Sequence, residues 1–249
     1  MISRVLVTGA AGFLGRAISV RLAGEYRVRL FDVEPGPCPA GAEWFAGDVS
    51  SPEAVRRACA GVDAVVIAHM APNRPGVYDS PPVPFSVNVT GTALVFAEAA
   101  AAGAKRVVLI STAGVVHAAL KAGTFLTPEL PPSPLILYGL TKALQEQVAS
   151  YYSRTAGLPV AVLRPSAIID EETLTDKYGK RWPAANWQMI DPRDIATAAS
   201  AALRLPDLGF EVFHLFGHPS ADSHADAARA RERLGWKPRH DFSRWPQEP

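Results

Sequence analysis

Thr8-Gly9-Ala10-Ala11-Gly12-Phe13-Leu14-Gly15 follows the apolar run Arg4-Val5-Leu6-Val7 and leads into a helical pattern over 13–23. A strand, a glycine turn and a helix in that order suit a phosphate. Gly9 permits the tight turn, Gly12 lets the main chain approach a pyrophosphate, and Gly15 lets helix and strand pack closely. The helix N-terminus adds amide donors and a partial positive charge. Outward from this turn, short apolar runs at 28–31, 64–68, 106–110 and 160–163 alternate with helical patterns at 52–59, 87–102 and 138–155. That alternation argues for βαβ units, and the scarcity of polar residues in the runs argues for a parallel sheet covered by helices on both faces. The expected fold is α/β, a Rossmann-type doubly wound parallel sheet over 1–165. A small C-terminal substrate-binding part, 166–249, packs on it as one globular unit and holds a helix over 192–205, a strand over 211–216 and a last helix ending at Leu234-Gly235-Trp236.

The 249 residues are 48% hydrophobic, ample for a buried core. With 25 lysines and arginines against 24 aspartates and glutamates, no overall field draws nucleic acid or an anionic membrane. Two cysteines, Cys38 and Cys59, have neither the number nor the spacing of a disulfide framework or a zinc site. Val5-Leu6-Val7 is too short for a signal-peptide core, and no apolar stretch is expected to reach membrane length. A cytoplasmic protein without a metal is the expectation.

Asp32 ends the second apolar run, 17 residues after Gly15. An acid at that spacing meets the adenosine ribose hydroxyls and repels a 2′-phosphate. Neither Val33 nor Glu34 is basic, so NAD is expected over NADP. Asp48-Val49 would lie at the adenine edge, while Ser51-Pro52 reads as the cap and first turn of the next helix. The irregular segments 71–85 and 114–137 follow the strands at 64–68 and 106–110, where open α/β sheets bind their ligands.

Tyr138-Gly139-Leu140-Thr141-Lys142 opens a helix, and residues four apart share a helix face. A tyrosine that exchanges protons near neutrality needs a nearby positive charge, which Lys142 would supply. Ser111-Thr112 ends the strand before it, where a hydroxyl can bond a substrate oxygen. Singly, each has a plainer use: Thr112 ending its strand, Lys142 pairing with Glu146 on a solvated face, Asn88 facing water. Together, after a phosphate-binding turn, they point to hydride transfer with a nicotinamide cofactor.

On these residues the chain resembles the extended short-chain dehydrogenase/reductases, the NAD-dependent epimerase/dehydratase family. Further marks are Arg164-Pro165, Asp191 to Ala196 and Leu234-Gly235-Trp236. The resemblance implies a triad of Thr112, Tyr138 and Lys142 supported by Asn88. It implies cofactor contacts from Ala11, Phe13, Leu14, Ala68, His69 and Pro165 beside the glycines, and substrate contacts from Met70, Thr112, Ala113 and Ser166. A homodimer through the helices at 87–102 and 138–155 is implied as well. The Asp-Glu pair that sugar-nucleotide dehydratases of the family carry after the catalytic Thr is replaced by Ala113-Gly114, which disfavours dehydration.

The short stretch after Arg164 favours a compact substrate, and the layout is similar to that of the uronate dehydrogenases. The expected function is NAD-dependent oxidation or reduction of a small sugar, sugar acid or polyol. A sugar-nucleotide epimerase or reductase is the alternative, and a non-catalytic dinucleotide-binding regulator a third. Lys177, Lys180 and Arg181 are candidates to meet an acid group, Lys177 and Arg181 foremost.

Overall fold

A computed structural model describes residues 1–72, 74 and 76–248; within the segment 71–85, Asn73 and Pro75 lie outside the described residues. Seven parallel strands form the main sheet: β1 (Arg4–Thr8), β2 (Arg27–Asp32), β3 (Ala42–Ala46), β4 (Ala64–Ile67), β5 (Arg106–Ile110), β6 (Val160–Pro165) and a late strand, Phe210–Leu215. Their order is β3-β2-β1-β4-β5-β6 followed by the late strand, so the direction of winding reverses beside β1, at the glycine turn. Neighbouring residues of each inner strand serve opposite cores. Val5, Val66, Val108 and Ala161 join one cluster, and Leu6, Val65, Val107 and Val160 the other, which explains runs that are apolar throughout.

Helix α1 (Phe13–Ala23) lies on the first face with the helix Pro192–Arg204. On the second lie α2 (Pro52–Cys59) and two longer helical stretches, Pro82–Ala101 and Leu137–Ala156. The first of these consists of α3 (Pro82–Pro84), a π-helical segment Phe85–Thr90 and α4 (Gly91–Ala101). Its mean hydropathy over an 18-residue window is 1.2, so a stretch of membrane length does exist, contrary to expectation. It is a core helix: Val95, Phe96 and Ala99 are wholly buried in the second cluster. Helix α5 (His117–Lys121) lies in the segment after β5, and α6 (Leu137–Ala156) ends at Gly157, whose φ of +62° suits glycine.

The stretch after Pro165 divides. A small sheet of β7 (Ala167–Asp170), β8 (Thr175–Asp176) and β9 (Met189–Ile190) stands apart, whereas helix α7 (Pro192–Arg204) and strand β10 (Phe210–Leu215) complete the main sheet, β10 pairing with β6 along its length. The residues of Asp191-Pro192-Arg193-Asp194 act as an anchor. Asp191 caps α7 and accepts from the Glu171 amide at 2.8 Å. Asp194 accepts from the amides of Arg239 and His240, both at 2.9 Å, and its carbonyl takes the Trp236 indole N–H at 3.0 Å. The last helix, α8 (Ala228–Leu234), buries Ala230 and Leu234 against the same core.

Candidate active site

The glycine turn is built by close main-chain approach. Gly9 has a φ of +70°, and a Cβ there would stand 2.6 Å from His69 Cα. A Cβ on Gly15 would stand 1.9 Å from the Gly9 carbonyl oxygen, so helix and turn are in contact. A Cβ on Gly12 would meet only that oxygen, at 3.3 Å. No side chain caps α1, so its first-turn amides keep free N–H groups beside this gap. That arrangement fits a pyrophosphate: an anion can lie against Gly12 and take the amides.

A cavity of about 750 Å³ runs from this turn across the sheet's carboxyl edge. Of the residues expected to hold a dinucleotide, Gly9, Ala11, Gly12, Phe13, Asp32, Asp48, Val49, Ala68 and His69 line it. Leu14 turns its side chain to the core. Asp32 accepts from the Ala11 amide at 2.9 Å and the Val33 amide at 2.8 Å, tying strand to turn. Asp48 accepts from the amide and hydroxyl of Ser50, and Ser51 caps α2 through the Ala54 amide.

Thr112, Tyr138 and Lys142 are not among the residues that line this cavity; Lys142 is buried and its ammonium donates to the Ile110 carbonyl at 2.8 Å. Burial, and then the charge of Lys177, pull its pKa down to about 7, while Glu146 acts to raise it. Tyr138 is half-buried, edge-on to Tyr78 with ring centroids 5.5 Å apart. Its phenol is held above the ordinary value by burial, then by the neighbouring Tyr78 and Tyr178. This corrects the expected acidification by Lys142, whose ammonium points to the end of β5 and is not among the groups that act on the phenol. Gly139 brings the first turn of α6 against the segment after β5. A Cβ at Gly139 would stand 2.8 Å from the Gly114 carbonyl, so α6 and the segment after β5 touch through main chain. Thr112 accepts from the Gly114 amide at 3.1 Å.

Lys142 does not pair with Glu146. Arg164 holds that carboxylate with two bonds, Nε to Oε1 at 2.9 Å and Nη2 to Oε2 at 2.6 Å, and the Ser111 hydroxyl donates to Oε1. Both side chains are almost wholly buried. Asn88 does not face water: it is fully buried in the π-helical segment, accepts from the Ala71 amide at 2.6 Å and donates to Thr141 at 2.9 Å and Tyr78 at 3.2 Å. His69 is buried between the hydroxyls of Thr8 (2.8 Å) and Thr92 (3.2 Å), and burial pushes its pKa down to about 3, the state of a packed neutral imidazole.

Besides Thr112, three expected substrate contacts lie outside the cavity lining. Arg181 packs over the Trp245 ring, 5.6 Å from its centre, away from the cavity. Ala113 is fully buried in a satellite cluster with Val116 and Phe216. Ser166 approaches Gln188 at 3.4 Å, and Pro165 ends β6 in the core. Met70 and Lys177 do line the cavity, 3.5 Å apart. Sequence reasoning missed Tyr78, Tyr178 and the Ser111-Glu146-Arg164 cluster. The available signal was Arg164 itself, a charge inside an apolar strand, which requires a buried partner.

A doubly wound sheet with a glycine turn at its switch point and a tyrosine and lysine one helical turn apart beside it defines a dinucleotide-dependent short-chain dehydrogenase/reductase of the extended type. Residues 5–200 match the NAD dependent epimerase/dehydratase family, and the chain belongs to it. Its matched relatives include an NAD(P)-dependent dehydrogenase. It is 27% identical to L-arabinose 1-dehydrogenase (NAD(P)(+)) of Haloferax volcanii, covering 95% of this chain and 96% of that one. It is 28% identical to uronate dehydrogenase of Pseudomonas syringae pv. tomato, over 85% and 74% of the two chains. It spans only 42% of a Sinorhizobium fredii protein with which it is 31% identical. Among solved structures, uronate dehydrogenase from Agrobacterium tumefaciens superposes with a TM-score of 0.74 at 26% identity, covering 96% of this chain and 85% of that one.

Proposed function

We propose that the chain is an NAD-dependent oxidoreductase acting at a carbinol or carbonyl carbon of a small sugar, sugar acid or polyol. What supports this is the buried Lys142 ammonium on the Ile110 carbonyl at the end of β5, with Thr112 two residues on and Gly139, next to Tyr138, against Gly114, in a fold whose glycine turn leaves room for a pyrophosphate. Relatives bearing the names of an arabinose and a uronate dehydrogenase support a compact carbohydrate, and a structure of uronate dehydrogenase complexed with NAD, 25% identical, supports the cofactor. When bound, the nicotinamide takes up or delivers the hydride.

The chain's own residues manage the oxygen and the proton. The Thr112 oxygen accepts from the Gly114 amide, so its proton is left to donate to the substrate oxygen. Tyr138, whose phenol stays protonated at neutral pH, supplies the proton when a carbonyl is reduced. In the oxidative direction it must first lose that proton, so oxidation is expected to quicken as pH rises. Lys142, fixed on Ile110, would have its remaining N–H groups to offer the cofactor ribose. Asp32 favours NAD over NADP.

The test is NADH absorbance with a panel of sugars, sugar acids and polyols, beside binding of free nucleoside diphosphates. Turnover of a free sugar or acid supports the reading. Tight nucleoside diphosphate binding without such turnover would replace it by a sugar-nucleotide epimerase or reductase. A homodimer belongs to the same proposal. Leu140 and Tyr151 of α6 are exposed on one face, an apolar stripe suited to a symmetric partner, and light scattering would measure the mass. Two unpaired thiols, Cys38 and Cys59, accord with a reducing cytoplasm.

A further inference from the structure

Past β8 the chain reverses in a tight turn, closed by the Asp176 amide on the Lys180 carbonyl at 3.0 Å and the Gly179 amide on the Asp176 carbonyl at 2.9 Å. Lys177 and Tyr178 at its tip line the same cavity as Gly12 and Asp32. Among the described residues the Lys177 ammonium has the Met70 sulfur at 3.5 Å and the Tyr178 ring, 5.2 Å from its centre, as its close neighbours, with the charge of Asp176 acting on it from farther off. Asp176, next in the chain, has one carboxylate oxygen on the amides of Tyr178 and Lys180. Among the described residues no carboxylate pairs with Lys177. A second ammonium, that of Lys142, is near enough to feel its charge. The uncapped first turn of α1 adds partial positive charge to the same cavity. Asp32, Glu34 and Asp48 line the cavity as well, but none of them pairs with Lys177, so an anion lying between this ammonium and the first turn of α1 would meet positive charge from both.

We propose that Lys177 is a ligand of the dinucleotide pyrophosphate, so that the β8 hairpin closes over the cofactor as a clasp. This rests on the reading that the cleft takes NAD, and it moves Lys177 from the substrate to the cofactor. The hairpin is a place from which a lysine can do this: Met70, which it touches, follows directly on Ala68 and His69 along the cofactor wall. A substrate carboxylate is the other anion that would satisfy the same ammonium, and the two differ in what binds without substrate.

Calorimetry with the full chain and its Lys177→Met variant, titrated with NAD, ADP-ribose and adenosine, separates them. Lys177 lies in an exposed turn, so the variant keeps its fold, and Met keeps the apolar stem. The expected result is about tenfold weaker binding of NAD and of ADP-ribose, with adenosine unchanged and the difference shrinking as salt is added. Unchanged NAD and ADP-ribose affinity in the variant would overturn the proposal, and a raised KM for a sugar acid would then assign Lys177 to substrate. If the unaltered chain bound neither NAD nor ADP-ribose, the proposed function would fall together with it.

Discussion

The two ends of the proposed site are made of different material. Around the glycine turn the walls are main chain: Gly9 against His69, Gly15 against Gly9, and amides held by Asp32. At the proposed reacting end, around Lys142, side chains are fixed by buried polar bonds across long stretches of sequence, Lys142 on Ile110, Ser111 and Arg164 on Glu146, Asn88 on Ala71 and Thr141. A main-chain wall tolerates almost no added atom yet asks nothing of charge. A side-chain wall tolerates changes of shape but depends on each polar group keeping its partner. Substitutions should therefore separate the ends by what they damage.

The largest effect is expected at Tyr138. Tyr138→Phe removes one oxygen from the reacting end and should lower kcat by at least about 10³-fold, since general acid–base groups contribute on that order. NAD affinity, governed by the other end, should stay within a few-fold. Steady-state kinetics and calorimetry on one preparation check both, and near-normal kcat would remove Tyr138 from the chemistry. Next comes Glu146→Gln, which leaves the buried Arg164 guanidinium without its charge partner and should destabilise the fold by about 3–5 kcal/mol in urea denaturation. Replacing both partners with Met should recover much of that loss, because no unpaired charge then stays in the core. If the single variant were as stable as the parent, the pair would have no structural weight.

The same contrast explains what could be read from the residues. The glycine turn, Asp32 and the alternation of strands and helices are local patterns, and the main sheet through β6, apart from the edge strand β3, follows from them. The pairing of Arg164 with Glu146, the burial of Asn88 and the distance of Arg181 from the cavity depend on how separate elements meet, which no short window records. Lys142 and Glu146 show this plainly. Spaced for an i,i+4 pair, they part because Ile110 and Arg164 offer each a better-placed partner in the interior. The division of the stretch after Pro165, with β10 and α7 joining the main sheet, was equally hidden, since it is settled by pairing with β6 and packing on α1.

A smaller effect concerns pH and the packed imidazoles. Burial, then Arg164, push the His214 pKa down to about 4, and burial, then Lys142, push that of His69 down to about 3. Unfolded, each would take up a proton near 6.5, so the unfolded state binds more protons as pH falls from 6.5 toward these values, and stability drops in that window. The cost is about 1.4 kcal/mol per pH unit for each ring. Among the described residues neither ring nitrogen of His214 makes a hydrogen bond of good geometry, the Thr127 main chain being a weak partner, so His214→Leu forfeits little bonding. It should remove about 2–3 kcal/mol of the stability difference between pH 7 and pH 4.5. Urea midpoints at the two pH values measure it, and an unaltered difference would mean His214 titrates normally in the fold.

The smallest effect, and the one that probes the main-chain end, is at Asp32. Its two oxygens each accept one amide, from Ala11 and Val33, and each retains a lone pair for a ribose hydroxyl. Asp32→Ala removes a charge that repels a 2′-phosphate. It leaves Arg16, which lines the same cavity with its Nε on the Ala11 carbonyl at 2.8 Å, as the nearest cation for that phosphate. The ratio of kcat/KM for NAD over NADP should fall by about tenfold, the effect of one exposed charge contact, with NAD itself bound a few-fold more weakly because the Ala11 amide has lost its acceptor. If NAD weakened while the ratio held, Asp32 would be a tie for the glycine turn and nothing more, and selection between the two cofactors would have to lie with main chain, in keeping with the rest of that end.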